Sequence, residues 1–194
     1  MSDTPTRDAK LVQFLNEAYA KEKQLETSLQ AHVEMTTDDA YVKHLKDHIK
    51  ETKSHATKLA RRIKQLGGNP ETVSVPGPDG LGKLAEGVSE RIGKAKAAAQ
   101  GPLKTVRGTG EQEAMLANAR IEYAEEAHEI AVYTVIDALA TTVGDTETAK
   151  LAREILREEE RMQKFLAKLL PELAANVAHD EIPVSELPGT AVKA

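Results

Sequence analysis

Three glutamates lie on apolar helix stripes, at positions where the 3.6-residue period favours a leucine or an alanine. They are Glu22 in the first predicted helix, Glu126 in the third and Glu159 in the fourth. Burying a lone carboxylate costs roughly several kcal/mol unless it is protonated, paired with a cation or bound to a metal. An ion pair would explain one such residue. Three of them, each near the middle of its helix, favour a shared site.

The second predicted helix carries His48, Glu51 and His55 along one ridge. At about 100° per residue, the two histidines border the apolar face, whereas Glu51 lies further round. Imidazole and carboxylate are suitable ligands for iron, manganese or zinc, and the chain has no cysteine to offer a thiolate. Glu129, one turn beyond the stripe glutamate of the third helix, adds another candidate carboxylate. The pattern predicts a metal centre that draws ligands from all four helices.

The elements that must position these ligands are four long amphipathic segments. Their predicted bounds are about 8–33, 39–66, 111–142 and 146–178, with a strong stop at Gly67-Gly68-Asn69-Pro70. Short connections make each pair an antiparallel hairpin. About forty residues join the hairpins, long enough to cross from one end of a bundle to the other. The sequence therefore predicts an all-α, ferritin-like four-helix bundle of two antiparallel hairpins joined by a long crossover.

The remaining segments complete a single-domain organisation. We expect one bundle over residues 8–178, with a crossover connector at about 69–111. Apolar residues at helical spacing between Leu81 and Ala95 predict a short extra helix within that connector. Pro183 and Pro188 lie in the last sixteen residues, so the sequence predicts an extended C-terminal tail over 179–194.

Composition narrows the possible functions. The 194 residues carry a net charge of −5, which gives no general reason to bind nucleic acid or an acidic membrane. The absence of cysteine excludes thiol catalysis, zinc–thiolate sites and iron–sulfur clusters. No apolar run is long enough for a membrane span, and the polar first ten residues do not resemble a signal peptide. We therefore expect a cytoplasmic protein.

Four segments, one in each predicted helix, resemble the YciE/YciF family of bacterial stress proteins. They are AYAKEKQL (18–25), HIKETKSHATKL (48–59), EEAHEIAVY (125–133) and LREEERMQKFL (156–166). The resemblance covers most of the bundle but neither the connector nor the tail. It implies a rubrerythrin-like four-helix protein that forms a homodimer and holds a dinuclear metal site. The metal positions it implies are Glu22, Glu51, His55, Glu126 and Glu159, followed by His48 and Glu129.

The sequence departs from the usual di-iron pattern, in which two helices each carry Glu and His three residues apart. Glu51 and His55 are four apart, Met162 one turn after Glu159 is no ligand for a hard cation, and Gln163 stands where the family tends to have an acid. Two hypotheses therefore stay open. One is a redox protein with two iron or manganese ions that reacts with dioxygen or peroxide. The other is a structural or partner-binding stress protein whose metal site is partial or vestigial.

Overall fold

A computed structural model describes residues 5–72 and 110–188. Within these ranges lie four long helices and one short 3₁₀ turn. The helices are α1 (Thr6–Met35), α2 (Asp39–Gln65), α3 (Glu111–Thr142) and α4 (Thr146–Glu181), and the 3₁₀ turn is Val184–Glu186. The predicted all-α class is confirmed.

Local sequence signals determine where the helices begin and end. The Asp38 side chain caps α2 by accepting a hydrogen bond from the Tyr41 backbone N–H at 2.7 Å, and Asp145 caps α4 through Thr148 N–H at 3.0 Å. Gly67 follows α2 with φ of 81°, and Gly144 joins α3 to α4 with φ of 77°. Because this left-handed backbone favours glycine, both turns occur where the sequence predicts them.

Two hydrophobic clusters, one towards each end of the bundle, show how the helices run. The first cluster contains Leu15 from the first half of α1 and Ile63 from the end of α2. It also contains Ile136 from the second half of α3 and Ile155 from the first half of α4. The second includes Leu29, Leu45, Met115 and Leu169, again one residue from each helix. α1 and α4 thus run in one direction and α2 and α3 in the other. α2 ends at the first cluster and α3 begins at the second, so the two helix ends that the connection joins lie at opposite ends of the bundle, as the predicted crossover requires.

A polar layer separates the two clusters. Between the clusters each helix places buried ionisable side chains, among them Glu22 on α1, His48 and His55 on α2, Glu126 and Glu129 on α3, and Glu159 on α4. Packing the apolar residues on both sides of this layer brings the six side chains to the same depth.

Two predicted segments need comment. α4 continues through His179, Asp180 and Glu181, so the segment from His179 begins as helix and not as an extended tail. The helix ends at Ile182, whose backbone is extended, because the residue before a proline is disfavoured in helical conformation and Pro183 follows. The predicted short helix between 81 and 95 lies outside the described residues.

Arg62, near the end of α2, links the two hairpins. Its Nη2 donates to both carboxylate oxygens of Asp145, at 2.7 and 2.6 Å, and its Nε donates to the Thr148 hydroxyl at 2.8 Å. Asp145 therefore both caps α4 and accepts, through its two carboxylate oxygens, from one guanidinium nitrogen. Such paired, charge-assisted hydrogen bonds are among the stronger polar contacts in proteins.

We expect Arg62→Lys to lower the free energy of unfolding by about 1–2 kcal/mol, because the single ammonium of lysine cannot reach both the Asp145 carboxylate and the Thr148 hydroxyl. Urea denaturation of the full chain measures the change. Arg61→Lys, at the neighbouring exposed position, is the matched control and should leave stability unchanged. Equal effects of the two substitutions would show that Arg62 does not join the hairpins.

Candidate metal centre

Six ionisable side chains form a fully buried layer at the middle of the bundle. None of them is more than 2% exposed: Glu22, His48, His55, Glu126, Glu129 and Glu159. The spacing of the two histidines explains why α2 supplies both of them. Seven residues, at about 100° each, return almost to the same side of a helix.

The first group of candidate ligands contains His48, Glu126, Glu129 and Glu159. Each offers one nitrogen or oxygen atom, and all of these atoms lie within 4.8 Å of one another. His48 Nε2 lies 3.0 Å from Glu126 Oε1 and 3.7 Å from Glu159 Oε2. Three helices therefore converge on one small volume.

The second group contains Glu22, His55 and Glu159, again within 4.8 Å. His55 Nδ1 lies 2.9 Å from Glu159 Oε1 and 3.3 Å from Glu22 Oε1. Glu159 thus belongs to both groups and presents a different oxygen to each histidine. A carboxylate shared in this way has the arrangement of a bridging ligand.

The chemistry of the donor set can be tested against its hydrogen bonding. Among the described residues, each of the six side chains has at least one buried nitrogen or oxygen atom without a hydrogen-bond partner. Buried polar atoms are almost always paired, and an unpaired one costs about 1–3 kcal/mol. Several such atoms converging on two points are expected of ligands to cations. The layer fits a metal site.

Burial and mutual repulsion alter the acidity of these carboxyls. Burial raises the pKa of Glu126 to about 8 despite the favourable contact with His48. Burial, reinforced by the charges of Glu22, Glu159 and Glu126, raises the pKa of Glu129 well above its usual value. The pKa of Glu22 is also raised, mainly by burial. The metal-free layer therefore retains protons that a bound cation would displace.

The two histidines and Glu159, in contrast, are shifted towards their charged forms. Burial alone lowers the pKa of His55, but contacts with Glu159 and Glu22 outweigh it and raise the value to about 10. The neighbouring carboxylates likewise raise the pKa of His48, against the effect of burial. Although burial opposes the change, contacts with His55 and His48 lower the pKa of Glu159. Glu159 is therefore the carboxylate most readily ionised.

Tyr133 contacts the layer from α3. Its buried hydroxyl donates a hydrogen bond to Glu22 Oε1, which leaves Glu22 Oε2 as the buried oxygen without a partner. Burial and the charge of Glu22 raise the pKa of Tyr133, so the phenol stays protonated. Tyr133 thus orients one candidate ligand.

Glu51 is the one sequence-predicted ligand that joins neither group. Its side chain is 35% exposed, and its Oε1 accepts a hydrogen bond from Arg161 Nη2 at 2.9 Å. Three residues after His48, Glu51 is rotated by about 60° from the direction of the two histidines. Its Oε2 lies 3.6 Å from His48 Nδ1, on the side of that ring away from the layer.

A second buried polar cluster was missed by the sequence analysis. Glu122 contacts His32 Nδ1 at 2.5 Å and accepts a hydrogen bond from the Tyr41 hydroxyl at 2.6 Å. The stripe through Leu25 and Leu29 continues to His32, so that position offered a signal. Glu122 lies one turn before Glu126, which offered another. These three residues belong to neither candidate metal group.

Comparison with known proteins places this architecture in a family. A family model described as a domain of unknown function, DUF892, matches residues 6–179. The chain belongs to the DUF892 family. None of the curated proteins matches this DUF892 chain.

Solved structures confirm the resemblance and the fold. A protein from Xanthomonas campestris pv. campestris matches with a TM-score of 0.70 and 22% identity, covering 91% of this chain and 99% of the other. The E. coli stress protein YciF gives 0.62 and 20%, covering 88% and 98%. A Desulfovibrio desulfuricans bacterioferritin with a diiron site gives 0.64 and 20%, covering 90% and 86%. These likenesses establish a ferritin-like bundle.

None of the helices α1 to α4 is both long enough and apolar enough to cross a bilayer.

Glu129→Gln should make the stability of the metal-free protein less sensitive to pH. At pH values just above the ordinary glutamate pKa of 4.5, the unfolded chain has released the Glu129 proton, whereas the folded protein still keeps it. Folding stability is therefore lost as pH rises through that range. The glutamine of the variant does not titrate, so the variant does not show this loss. We expect the free energy of unfolding of the variant, relative to that of the wild type, to increase by at least about 1 kcal/mol between about pH 4 and pH 8.

Urea titrations in chelator-treated buffer at several pH values measure this difference. Glu160→Gln on α4 is the control, because Glu160 is only partly buried and belongs to neither candidate group. An advantage of Glu129→Gln that stays constant with pH would contradict the raised pKa.

Proposed function

We propose that this protein binds two iron or manganese ions in the buried layer and uses them to react with dioxygen or peroxide. The proposal rests on one observation: Glu159 belongs to both ligand groups, and its two carboxylate oxygens face different histidines. Two-metal sites commonly hold their ions about 3.5–4 Å apart, a separation that one bridging carboxylate spans.

The donor set fits iron or manganese and excludes a zinc–thiolate site. Carboxylate oxygen and neutral imidazole nitrogen suit both metals, whereas cysteine, the usual ligand of structural zinc, is absent from the chain. His48, Glu126, Glu129 and Glu159 would hold one ion, and Glu22, His55 and Glu159 the other. Bound in this way, iron or manganese would supply the electrons that dioxygen or peroxide accepts.

The protein's own residues would orient the ligands, exclude water and store protons. Tyr133 fixes one oxygen of Glu22. The hydrophobic clusters on both sides of the layer keep bulk water away. Glu126 and Glu129 hold protons when the layer is empty, because burial raises the pKa of both carboxyls. Metal binding should therefore release protons and strengthen as pH rises.

A role in a bacterial stress response, a homodimeric state and a cytoplasmic location complete the proposal. The resemblance to YciF, described as a stress protein, supports the first of these. The dimer and the location remain predictions from the sequence, and light scattering of the purified protein tests the dimer.

A structural or partner-binding stress protein is the second candidate. Two observations favour it: α4 contributes one candidate ligand, Glu159, to the two groups, and the second group has one residue fewer than the first. A vestigial site would bind metal weakly or at one position only, and peroxide would not react with the loaded protein.

Glu159→Gln is the most discriminating variant, because the bridging residue serves both groups. We expect wild-type protein, reconstituted anaerobically with Fe²⁺ or with Mn²⁺, to bind two ions per chain. The variant should lose tight binding of both, since an amide cannot replace a bridging carboxylate. Equilibrium dialysis with metal analysis gives the stoichiometry, and peroxide consumption by the loaded protein tests the redox role.

Glu160→Gln, the next residue of the same acidic run, is the control and should bind both ions. Glu22→Gln should weaken only the group that contains His55. Wild-type protein that binds less than one ion per chain would eliminate the di-metal function. Tight binding of two ions without peroxide consumption would eliminate the redox role alone.

A further inference from the structure

Both histidines of the buried layer, His48 and His55, have one ring nitrogen facing the layer and the other facing a partly exposed carboxylate. His55 Nδ1 faces Glu159 and Glu22, and its Nε2 lies 2.6 Å from Glu158 Oε2. His48 shows the reverse arrangement. Its Nε2 faces the layer and its Nδ1 faces Glu51 Oε2 at 3.6 Å.

Arg161 on α4 joins the two outer carboxylates. Its Nη2 donates a hydrogen bond to Glu51 Oε1 at 2.9 Å and lies 4.0 Å from Glu158 Oε1. One cation therefore stands between two anions that come from different helices. Glu51 and Glu158 form the outer carboxylate pair, and Arg161 is its arginine.

The proton on an imidazole decides which nitrogen can bind a metal. A neutral ring has one N–H and one lone pair, and a carboxylate beside one nitrogen holds the N–H there. The opposite nitrogen is then the ligand, and outer carboxylates of this kind usually raise metal affinity. Glu158 is placed to hold the proton of His55 on Nε2. Glu51 stands on the corresponding side of His48, with its Oε2 3.6 Å from Nδ1.

We propose that the outer carboxylate pair and its arginine are positioning residues that make the two histidines bind through different atoms, His55 through Nδ1 and His48 through Nε2. This inference rests on the proposed two-metal function. It assigns a role to Glu51 that differs from direct ligation and gives roles to Glu158 and Arg161, which lie outside both ligand groups.

The unequal distances separate the roles of the three residues. Glu158 is in direct contact with His55, so it acts on the group that contains His55. Arg161 is bonded to Glu51 and only near Glu158, so it acts chiefly on the group that contains His48. Removing either residue should therefore weaken one ion more than the other.

The first test is a crystal structure of wild-type protein loaded with Mn²⁺, in which the ring positions identify the ligating nitrogen. We expect Nδ1 of His55 and Nε2 of His48 as ligands, with Glu158 and Glu51 on the opposite nitrogens. Ligation of both histidines through the same type of nitrogen, or direct ligation by Glu51 or Glu158, would overturn the proposal.

The second test measures Mn²⁺ binding and anomalous occupancy in variants. Glu158→Ala should weaken the ion at His55 by tenfold or more, and Arg161→Ala should weaken the ion at His48. Glu158→Gln, which keeps an acceptor oxygen beside Nε2, should restore part of the affinity. Matched controls on α4 are Glu154→Ala, which removes a contact with Lys58, and Arg153→Ala, which removes a contact with Asp137.

Thermal unfolding of each metal-free variant confirms that it folds, so a binding loss can be read as loss of positioning. Binding within twofold of wild type in Glu158→Ala and Arg161→Ala would overturn the inference while leaving the two-metal function intact. A wild-type protein that binds no Mn²⁺ and no Fe²⁺ would instead refute the function on which the inference rests.

Discussion

The cost of burying four carboxylates at the centre of a helical bundle governs this structure. Glu22, Glu126, Glu129 and Glu159 lie between two hydrophobic clusters and are almost inaccessible to solvent. Two histidines reduce the repulsion but cannot cancel it, because burial still raises the pKa of Glu22, Glu126 and Glu129. An apolar layer would pack without this cost. Divalent cations would offset it, and the proposed metal site accounts for why these helices keep such residues at one depth.

The fold supplies the position of each ligand through helix packing and not through loops. Each helix passes from one hydrophobic cluster to the other, so the residues between the clusters must meet. The crossover makes α1 antiparallel to α3 and α2 antiparallel to α4. Arg62 then fixes one end of the two hairpins through Asp145. Rigid elements hold ligands more closely to a required geometry than loops do.

Much of this arrangement is predictable from the sequence. Periodicity located four helices, and the apolar stripes selected Glu22, Glu126 and Glu159, all of which lie in the buried layer. The position of Glu51 was harder to predict from the sequence. A helical wheel gives the direction of a side chain but not the residue that it contacts, here Arg161. Glu158 resembled part of a solvated acidic run. The contacts of Glu122 with His32 and Tyr41 depend on three helices, and no single helix pattern reports them.

The buried layer is proposed to hold two metal ions that share Glu159. Anomalous diffraction at the iron and manganese edges, from crystals of protein purified without chelators, tests this proposal. We expect two anomalous peaks on either side of the Glu159 carboxylate, one beside Nε2 of His48 and the other beside Nδ1 of His55. Crystals of protein reconstituted with either metal that show no peak in the layer would contradict it.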